Sequence, residues 1–294
     1  MPPTPLRHGP TQGFCLRRTA LQRLALGGAA LLGFGKAFAQ VPPLELGVLP
    51  NVSARLLLTQ YQPLQSHLSQ KVGRPVQVST APSWREFYQR AKAGQYDIVV
   101  AAGNVARLAE KDLGFRPLVS YEPMVPALFI TRKGDTAAAP TVLKNQSLAL
   151  ANPASLVAFE GLRWLRSQGL EAGTHYKTLQ VKTDDSVGNT VLRGEAAAGV
   201  LSMGEFRAHP AAVRDQLTVH TQFAEVASFL VSVNPRMDGR LAEQIRAALL
   251  AFDANLEEGR LFFERTGFKG IVPLQPAALS KLDAHIDSTR QLLD

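Results

Sequence analysis

Four turns of the sequence place small polar residues between a buried strand and the start of a helix. They are Pro50–Ser53, Ser83–Trp84, Gly103–Asn104 and Asn152–Val157. In α/β proteins, ligands bind beyond the carboxyl ends of the strands, where the helix N-termini point. The free amides and partial positive charge of a helix N-terminus bind oxyanions. The chemistry that these turns offer is reversible anion binding.

Residues for covalent or metal chemistry are sparse. The only cysteine is Cys15, and the sequence has no Gly-x-Ser-x-Gly, phosphate-loop or Gly-x-Gly-x-x-Gly motif. Asp184 and Asp185 form one carboxylate pair, but adjacent side chains usually point apart. The histidines after residue 39 are scattered, without metal-ligand spacing: His67, His175, His209, His220 and His285. We therefore predict a binding protein, not an enzyme, without a cofactor or a metal site.

The elements that position these turns alternate between strand and helix. Leu44–Leu49 reads as a strand, and the next helix begins at a possible cap, Ser53, and ends at Gly73. Ser83–Glu86 matches a capping box that starts a second helix. Ile98–Ala102 is apolar throughout, as in a parallel strand that is buried on both faces. This β-α-β-α order predicts an α/β lobe.

A second β-α series follows further along the chain. Ser147–Ala151 reads as a strand, Ser155–Gln168 and Ser186–Arg193 as helices, and Gly199–Ser202 as another strand. Two long amphipathic helices, about 241–256 and 277–293, end the chain. They lack strands of their own in the pattern and must pack back on the first lobe.

The economical arrangement is an α/β fold of two lobes, each a sheet flanked by helices. We predict a first lobe of residues 41–125 plus 234–294 and a second lobe of residues 135–222. The chain is expected to cross between them at 126–134 and 223–233. Two crossing strands then form a hinge, with a cleft between the lobes.

The first 39 residues read as an export signal. Basic residues without an acidic one surround an eleven-residue apolar stretch, Leu24–Phe34, and Ala37–Ala39 is a small-x-small cleavage site. The stretch is shorter than the roughly 20 residues that a membrane-spanning helix needs. The pair Arg17-Arg18 and the late Lys36 favour a twin-arginine signal over general secretion.

Removal of this segment changes the charge of the protein. The whole chain has 32 basic and 24 acidic residues and a net charge of +8. Residues 1–39 hold 5 of the basic residues and no acidic one, which leaves 27 against 24, a net charge of +3. No long run of like charges remains, so nucleic-acid binding is not expected. Cys15 precedes the apolar stretch, whereas a lipid-anchoring cysteine would follow it, so we expect a soluble monomer in the periplasm.

Several segments, in order over residues 44–293, resemble one family. The family comprises the phosphate-, phosphite- and phosphonate-binding (PhnD-like) components of ABC transporters. The similar segments are Leu46–Pro50, Tyr61–Leu64, Gly73–Val76, Gly94–Val99, Val191–Ala196, and Gly267-Phe268 with Val272-Pro273. The resemblance implies a type 2 periplasmic binding protein with transferrin-like architecture. It also implies ligand capture between the lobes and delivery to a membrane permease.

The family resemblance singles out the turn at 152–158. There the family reads roughly Asp-Pro-x-Ser-Thr-Ser-Gly, with hydroxyls and amides that grip an oxyanion. This chain keeps Ser155, but Leu156 and Val157 stand at the next two hydroxyl positions. The resemblance implies that all three positions contact the ligand, with two side-chain donors lost. Ser155 can instead be a plain N-cap, a role that stabilises a helix by about 1 kcal/mol.

Two further positions depart from the family. Related sequences often have Ser-His before the helix that Ser186 opens here, and Asp184 takes the place of the histidine. Ser186 is itself a candidate ligand contact. Asp184 can cap that helix, or face the cleft, repel a fully ionised anion and favour a protonated or amine-bearing ligand. Asn104 stands where the family often has His or Tyr, and can contact the ligand or cap its helix.

The remaining candidates lie at the first two turns. Trp84 can form an aromatic wall of the cleft or pack in the core. Asn51 and Ser53 can contact the ligand or only shape the start of their helix. We predict the periplasmic solute-binding protein of an ABC importer, with a phosphonate-, phosphite- or phosphate-like ligand. The alternative is a periplasmic sensor of the same fold that partners a membrane kinase.

Overall fold

The computed structural model describes residues 42–135, 140–183 and 186–294. The predicted export signal and the candidate Asp184 lie outside these residues. Within the described ranges, no helix is both long and apolar enough to cross a membrane.

The first lobe begins with the predicted alternation of strands and helices. Ser53 occupies the N-cap of the first helix, and Gly73 ends it with a φ of 66°, a conformation that glycine adopts without a steric penalty. Leu57, Leu64 and Leu68 on this helix are fully buried, as their spacing predicts. The elements are β1 (Leu44–Val48), α1 (Ala54–Val72), β2 (Val76–Ser79), α2 (Trp84–Lys92), β3 (Ile98–Ala102), α3 (Gly103–Leu113) and β4 (Arg116–Glu122).

The second lobe repeats this pattern on a shorter scale. Its central strand, Ala198–Ser202, is buried at every position, and Ser155 caps its first helix. The elements are β5 (Val125–Arg132), β6 (Ser147–Leu150), α4 (Leu156–Ser167), β7 (Lys177–Gln180), α5 (Val187–Leu192), β8 (Ala198–Ser202), α6 (Met203–Ala208), α7 (Ala211–Arg214) and β9 (Leu217–Val226).

The chain then returns to the first lobe and ends there. The C-terminal elements are β10 (Phe229–Val233), α8 (Gly239–Leu250), α9 (Glu257–Thr266), β11 (Gly270–Pro273), α10 (Pro276–Lys281), a 3-10 turn (Leu282–His285) and α11 (Ile286–Leu293).

Each lobe contains one mixed sheet. The strand orders are β11-β4-β10-β3-β1-β2 in the first lobe and β7-β6-β8-β5-β9 in the second. In both sheets, three parallel strands are followed by a strand that enters from the other lobe and runs antiparallel to them. That strand is β10 beside β3 in the first sheet and β5 beside β8 in the second. The predicted fold class, two lobes of α/β type joined by two crossings, is confirmed.

The changes of sheet are shorter than the predicted crossings. Residues 126–132 pair along β8 and β9 in the second sheet, and residues 229–233 pair along β3 and β4 in the first. The chain therefore leaves the first sheet at 123–124 and returns at 227–228. The predicted crossings at 126–134 and 223–233 are apolar segments. An apolar segment gives no local sign of which sheet it joins, so the sequence did not show that most of each segment is strand within the sheet of one lobe or the other.

The C-terminal region departs from the predicted elements. It has a strand of its own, β11, which pairs antiparallel with β4, contrary to the prediction. Gly270–Pro273 shows no alternation of apolar and polar residues, so its pattern did not predict a strand. The helix predicted for 241–256 ends at Leu250. A turn follows before α9, in which the Asp253 side chain accepts a hydrogen bond from the Asn255 amide (2.9 Å). The helix predicted for 277–293 is divided by the 3-10 turn.

Candidate functional site

A cavity of about 210 Å³ lies between the two lobes. We call it the large cavity, in contrast only to a smaller one that adjoins it between the lobes. The first crossing and both lobes supply its walls. The main contributors are Asn51 and Val52 before α1, Gln60 and Tyr61 on α1, Pro123–Pro126 at the first crossing, Ser202–Glu205 at the start of α6, and Thr266–Lys269 after α9.

The wall from the first lobe is built around the start of α1. Ser53 is the N-cap residue, but its side chain accepts no hydrogen bond from the helix. Gln60 Nε2 donates to the carbonyl oxygen of Arg265 (3.0 Å), which ties α1 to the end of α9. Burial raises the pKa of Tyr61, so its hydroxyl is neutral near neutral pH. This wall offers polar groups without a fixed negative charge.

The wall from the second lobe carries a carboxylate. Ser202 and Glu205 form a capping box: Ser202 Oγ accepts from the Glu205 amide (3.2 Å), and Glu205 Oε2 accepts from the Ser202 amide (2.7 Å). Only 9% of Glu205 is exposed. The reciprocal bonds fix this carboxylate at the cavity surface.

Two basic residues, Arg207 and Lys269, also line the large cavity and are exposed. The amide of Lys269 donates to the Glu122 carbonyl (2.8 Å), which fixes its backbone beside the first crossing. The guanidinium of Arg207 lies near Gly267, the C-cap of α9, since a Cβ atom on Gly267 would be 3.9 Å from Arg207 Nη1. A cation there complements the negative end of that helix.

A second, smaller cavity of about 40 Å³ adjoins the first, because Ser202 and Glu205 line both. We call it the small cavity. Its other walls are Trp84, the start of α4 at Ser155–Val157, and the apolar residues Ala102, Val125, Val226, Ala227 and Phe229. Ser155 Oγ accepts from the Ala158 amide (3.0 Å), and Trp84 Nε1 donates to the Pro50 carbonyl (3.1 Å). The small cavity is therefore walled mainly by apolar side chains.

Comparison with known proteins identifies this arrangement of lobes and cleft. A sequence model of the family described as "ABC transporter, phosphonate, periplasmic substrate-binding protein" matches residues 46–279. The chain belongs to this family. The phosphonate-binding family consists of substrate-binding proteins of ABC transporters that act in the periplasm, and its description names no catalytic activity. No protein with a curated description matches the sequence.

Solved structures share the fold of this phosphonate-binding family member. PhnD1 of Prochlorococcus marinus, in complex with methylphosphonate, has a TM-score of 0.76 at 13% identity over 84% of this chain and 98% of that chain. A phosphonate-transporter binding protein from Pseudomonas aeruginosa has a TM-score of 0.73 at 12% identity over 86% and 89%. A Xanthomonas citri protein with bound chloride has a TM-score of 0.68 at 22% identity over 84% and 98%. The fold is that of the type 2 periplasmic binding proteins.

The structure brings five of the sequence-predicted site residues to the two cavities. Asn51 lines the large cavity, whereas Trp84, Ser155, Leu156 and Val157 line the small one. Ser155 has the capping role that the sequence allowed, and Trp84 is 4% exposed and packs in the core. Ligand contact by these residues in a phosphonate-binding protein stays a prediction.

Three other predicted residues, Asn104, Ser53 and Ser186, lie outside both cavities. Asn104 is fully buried where the two lobes meet. Ser53 lies at the N-cap of α1, next to the large cavity but not among its lining residues. The Ser186 hydroxyl lies 2.8 Å from that of Thr183, and it does not cap α5. Asp184 lies outside the described residues, so its orientation toward the cleft also stays a prediction.

The sequence analysis missed Glu205, Arg207 and Lys269. A local signal existed for Glu205, because Ser202–Glu205 repeats the Ser-x-x-Glu pattern recognised at Ser83–Glu86 and directly follows a buried strand. At Ser83 only half of the box forms: Ser83 caps the Glu86 amide, while the Glu86 carboxylate pairs with Arg90. Arg207 and Lys269 lack a local signal, since they come to line one cavity only when α6 approaches the end of α9.

Proposed function

We propose that this protein is the solute-binding component of an ABC importer that binds a small organic oxyanion in the large cavity. The observation that carries the proposal is that both lobes and the first crossing form one cavity. A solute there touches both lobes only when they are together. Such a solute favours the closed arrangement, whereas one that binds open and closed arrangements equally shifts nothing.

The anionic end of the solute has two sources of positive potential nearby. Arg207 and Lys269 are exposed at the cavity and can turn toward a ligand. Asn51 and Val52 in the cavity wall directly precede α1, whose first-turn amides the Ser53 side chain does not cap. Cationic side chains together with helix amides are a common environment for phosphonate-type groups.

The Glu205 carboxylate restricts which oxyanions fit. A buried carboxylate repels a compact dianion, and the low polarity of the cleft strengthens this repulsion. Met124, Val125 and Phe229 offer apolar surface in the same cavity, and Leu156 and Val157 extend it into the small cavity. We therefore propose a ligand whose oxyanion is joined to an organic part that carries either an amine or an apolar group.

Thermal unfolding with a panel of ligands tests this proposal. The panel contains phosphate, phosphite, methylphosphonate, a longer alkylphosphonate and 2-aminoethylphosphonate. A ligand at 100 times its Kd adds about 2.7 kcal/mol, which is roughly 5–10 °C for a chain of this size. We expect the organic phosphonates to raise the Tm and phosphate to leave it unchanged. A shift with phosphate alone would contradict the ligand class, and no shift with any oxyanion would contradict the site.

The variant Glu205→Gln separates the charge of the carboxylate from its shape. Loss of the negative charge should strengthen binding of methylphosphonate and weaken binding of 2-aminoethylphosphonate, each by about tenfold, as calorimetry would show. Glu195→Gln is the control, because Glu195 pairs with Arg193 on the surface and lines neither cavity. An unchanged order of affinities in Glu205→Gln would show that this carboxylate does not select the ligand.

The import role is tested in cells. Deletion of the gene should abolish uptake of the solute found in the panel, and the gene on a plasmid should restore it. Uptake that persists while a solute-dependent transcriptional response is lost would instead support the sensor alternative.

A further inference from the structure

The lobes touch directly beside the small cavity, at a residue that lines neither cavity. Asn104 at the start of α3 is 0% exposed, and its Nδ2 donates to the Ala154 carbonyl (2.8 Å) of the second lobe. The same Nδ2 donates to Thr289 Oγ1 (2.8 Å) on α11. Ala154 and Thr289 are themselves buried. One amide group therefore joins the turn before α4 to two helices of the first lobe.

An aromatic contact parallels this hydrogen bond. The ring of Phe159 on α4 stacks on His285, with centroids 5.8 Å apart and planes 6° from parallel. Leu156 and Val157 pack in the same apolar cluster as Leu282 and Leu293 of the first lobe. Offset stacks of this kind stabilise a contact beyond the apolar area that they bury.

The C-terminal segment that carries Thr289 and His285 is firmly part of the first lobe. Arg107 pairs with Asp283 (2.7 Å), and Arg290 pairs with Asp112 (2.8 Å), so α3 holds the segment from both ends. A contact of Thr289 or His285 with the second lobe is therefore a contact between lobes, not an attachment of a loose tail.

We propose that Asn104, Thr289 and His285 of the first lobe form a latch with Ala154 and Phe159 of the second. The latch holds the lobes together next to the ligand site, and Asn104 acts as a positioning residue without contacting the ligand. The turn that grips an oxyanion in the family contributes here to the contact between lobes, consistent with the loss of two hydroxyls at Leu156 and Val157.

The latch is reversible because one polar atom within it, the side-chain oxygen of Asn104, lacks a hydrogen-bond partner in the described part of the chain while the lobes are together. Asn104 Oδ1 is buried, and within the described residues it has no hydrogen-bond partner. Opening of the lobes exposes this oxygen to water, which offsets part of the loss of the two bonds from Nδ2. Such a contact biases the balance between open and closed lobes without locking it.

Distances between spin labels on the two lobes test the latch without any ligand. The labels are placed on Gln244→Cys of α8 and Lys177→Cys of β7, both exposed, in a chain with Cys15→Ser. We expect a short-distance population in this parent. Asn104→Ala should lower the ratio of short to long distances about five- to thirtyfold, and His285→Ala about two- to tenfold.

Asn234→Ala is the matched control. Asn234 is also a buried asparagine whose Nδ2 donates to a carbonyl, that of Tyr96 (3.1 Å), but both residues belong to the first lobe. It should lower stability and leave the distances unchanged. A parent with only long distances, or distances that Asn104→Ala and His285→Ala leave unchanged, would overturn the latch. Equal lengthening in Asn234→Ala would also overturn it, since general loosening would then explain the effect.

Discussion

Gly188 and His209 connect two short helices of the second lobe. The Gly188 amide donates to His209 Nε2 (3.2 Å), so the ring proton lies on Nδ1, which donates to the Glu205 carbonyl (2.9 Å). His209 is 3% exposed and lies directly after α6. One neutral imidazole thus ties α5 to α6, and α6 carries the carboxylate that lines both cavities.

A side chain at position 188 should disrupt this connection. A Cβ atom on Gly188 would lie 2.6 Å from His209 Nε2, so Gly188→Ala forces the imidazole out of place. We expect a loss of about 1–3 kcal/mol in the free energy of unfolding, measured with urea. Gly239→Ala is the control, because a Cβ there meets no atom within 4 Å. It should change stability by no more than about 1 kcal/mol. Equal losses in the two variants would refute the steric explanation.

At the level of elements, ion pairs attach the C-terminal segment to α3. Arg290 donates to both carboxylate oxygens of Asp112 (2.8 Å each), and these bonds lower the pKa of Asp112. Arg107 lowers the pKa of Asp283 in the same way. A carboxyl whose pKa is lower in the folded state stabilises the fold above its unfolded pKa, about 3.9. That contribution is lost as the pH falls through the folded pKa.

Acid should therefore loosen the C-terminal segment first. In the wild-type protein, we expect hydrogen exchange at 276–293 to accelerate relative to the rest of the first lobe as the pH falls from about 4 through the lowered pKa values of Asp112 and Asp283. The double variant Asp112→Asn with Asp283→Asn should show accelerated exchange already at pH 6 and little further change on acidification. Glu243→Gln removes a pair within α8 and should not affect this segment. If the double variant still shows the pH response, other carboxyl groups cause it, and the prediction is wrong.

For the whole molecule, the latch and the ligand act on one equilibrium between open and closed lobes. The apparent Kd of a ligand that binds the closed arrangement equals its intrinsic Kd divided by the closed fraction. A contact that only raises the closed fraction therefore strengthens binding without touching the ligand. Position 104 can influence affinity in this way, although its side chain lies outside both cavities.

Asn104→Ala should weaken binding of the best ligand in the panel. If the closed fraction falls to a tenth, the apparent Kd rises about tenfold, because each tenfold step in population is a tenfold step in affinity. Calorimetry on the wild type, Asn104→Ala and Asn234→Ala measures this effect. The Asn234→Ala control should keep the wild-type Kd despite lower stability. An Asn104→Ala variant that opens in the distance measurement but binds with wild-type affinity would separate the latch from ligand binding.

The sequence by itself determined the family, the order of the elements and many helix ends. Ser53, Gly73 and Ser155 act at the predicted helix ends, and the buried strands 98–102 and 198–202 lie where apolar runs indicated them. Each of these features depends on a few residues that are neighbours in the sequence, so a short stretch of sequence is enough to predict it. The family resemblance adds to them because its segments keep their order along the chain.

Only the tertiary structure decided which side chains meet between the lobes. Glu205 and Lys269 reach one cavity from positions 64 residues apart. Asn104 contacts Ala154 of the second lobe, and it contacts Thr289 of its own lobe, which follows only after the chain has passed through both crossings. Whether a polar residue caps a helix, lines a cavity or joins two lobes depends on the surface that faces it. That surface is set by how the sheets exchange strands and how the C-terminal segment packs on α3, and no short stretch of sequence contains this information.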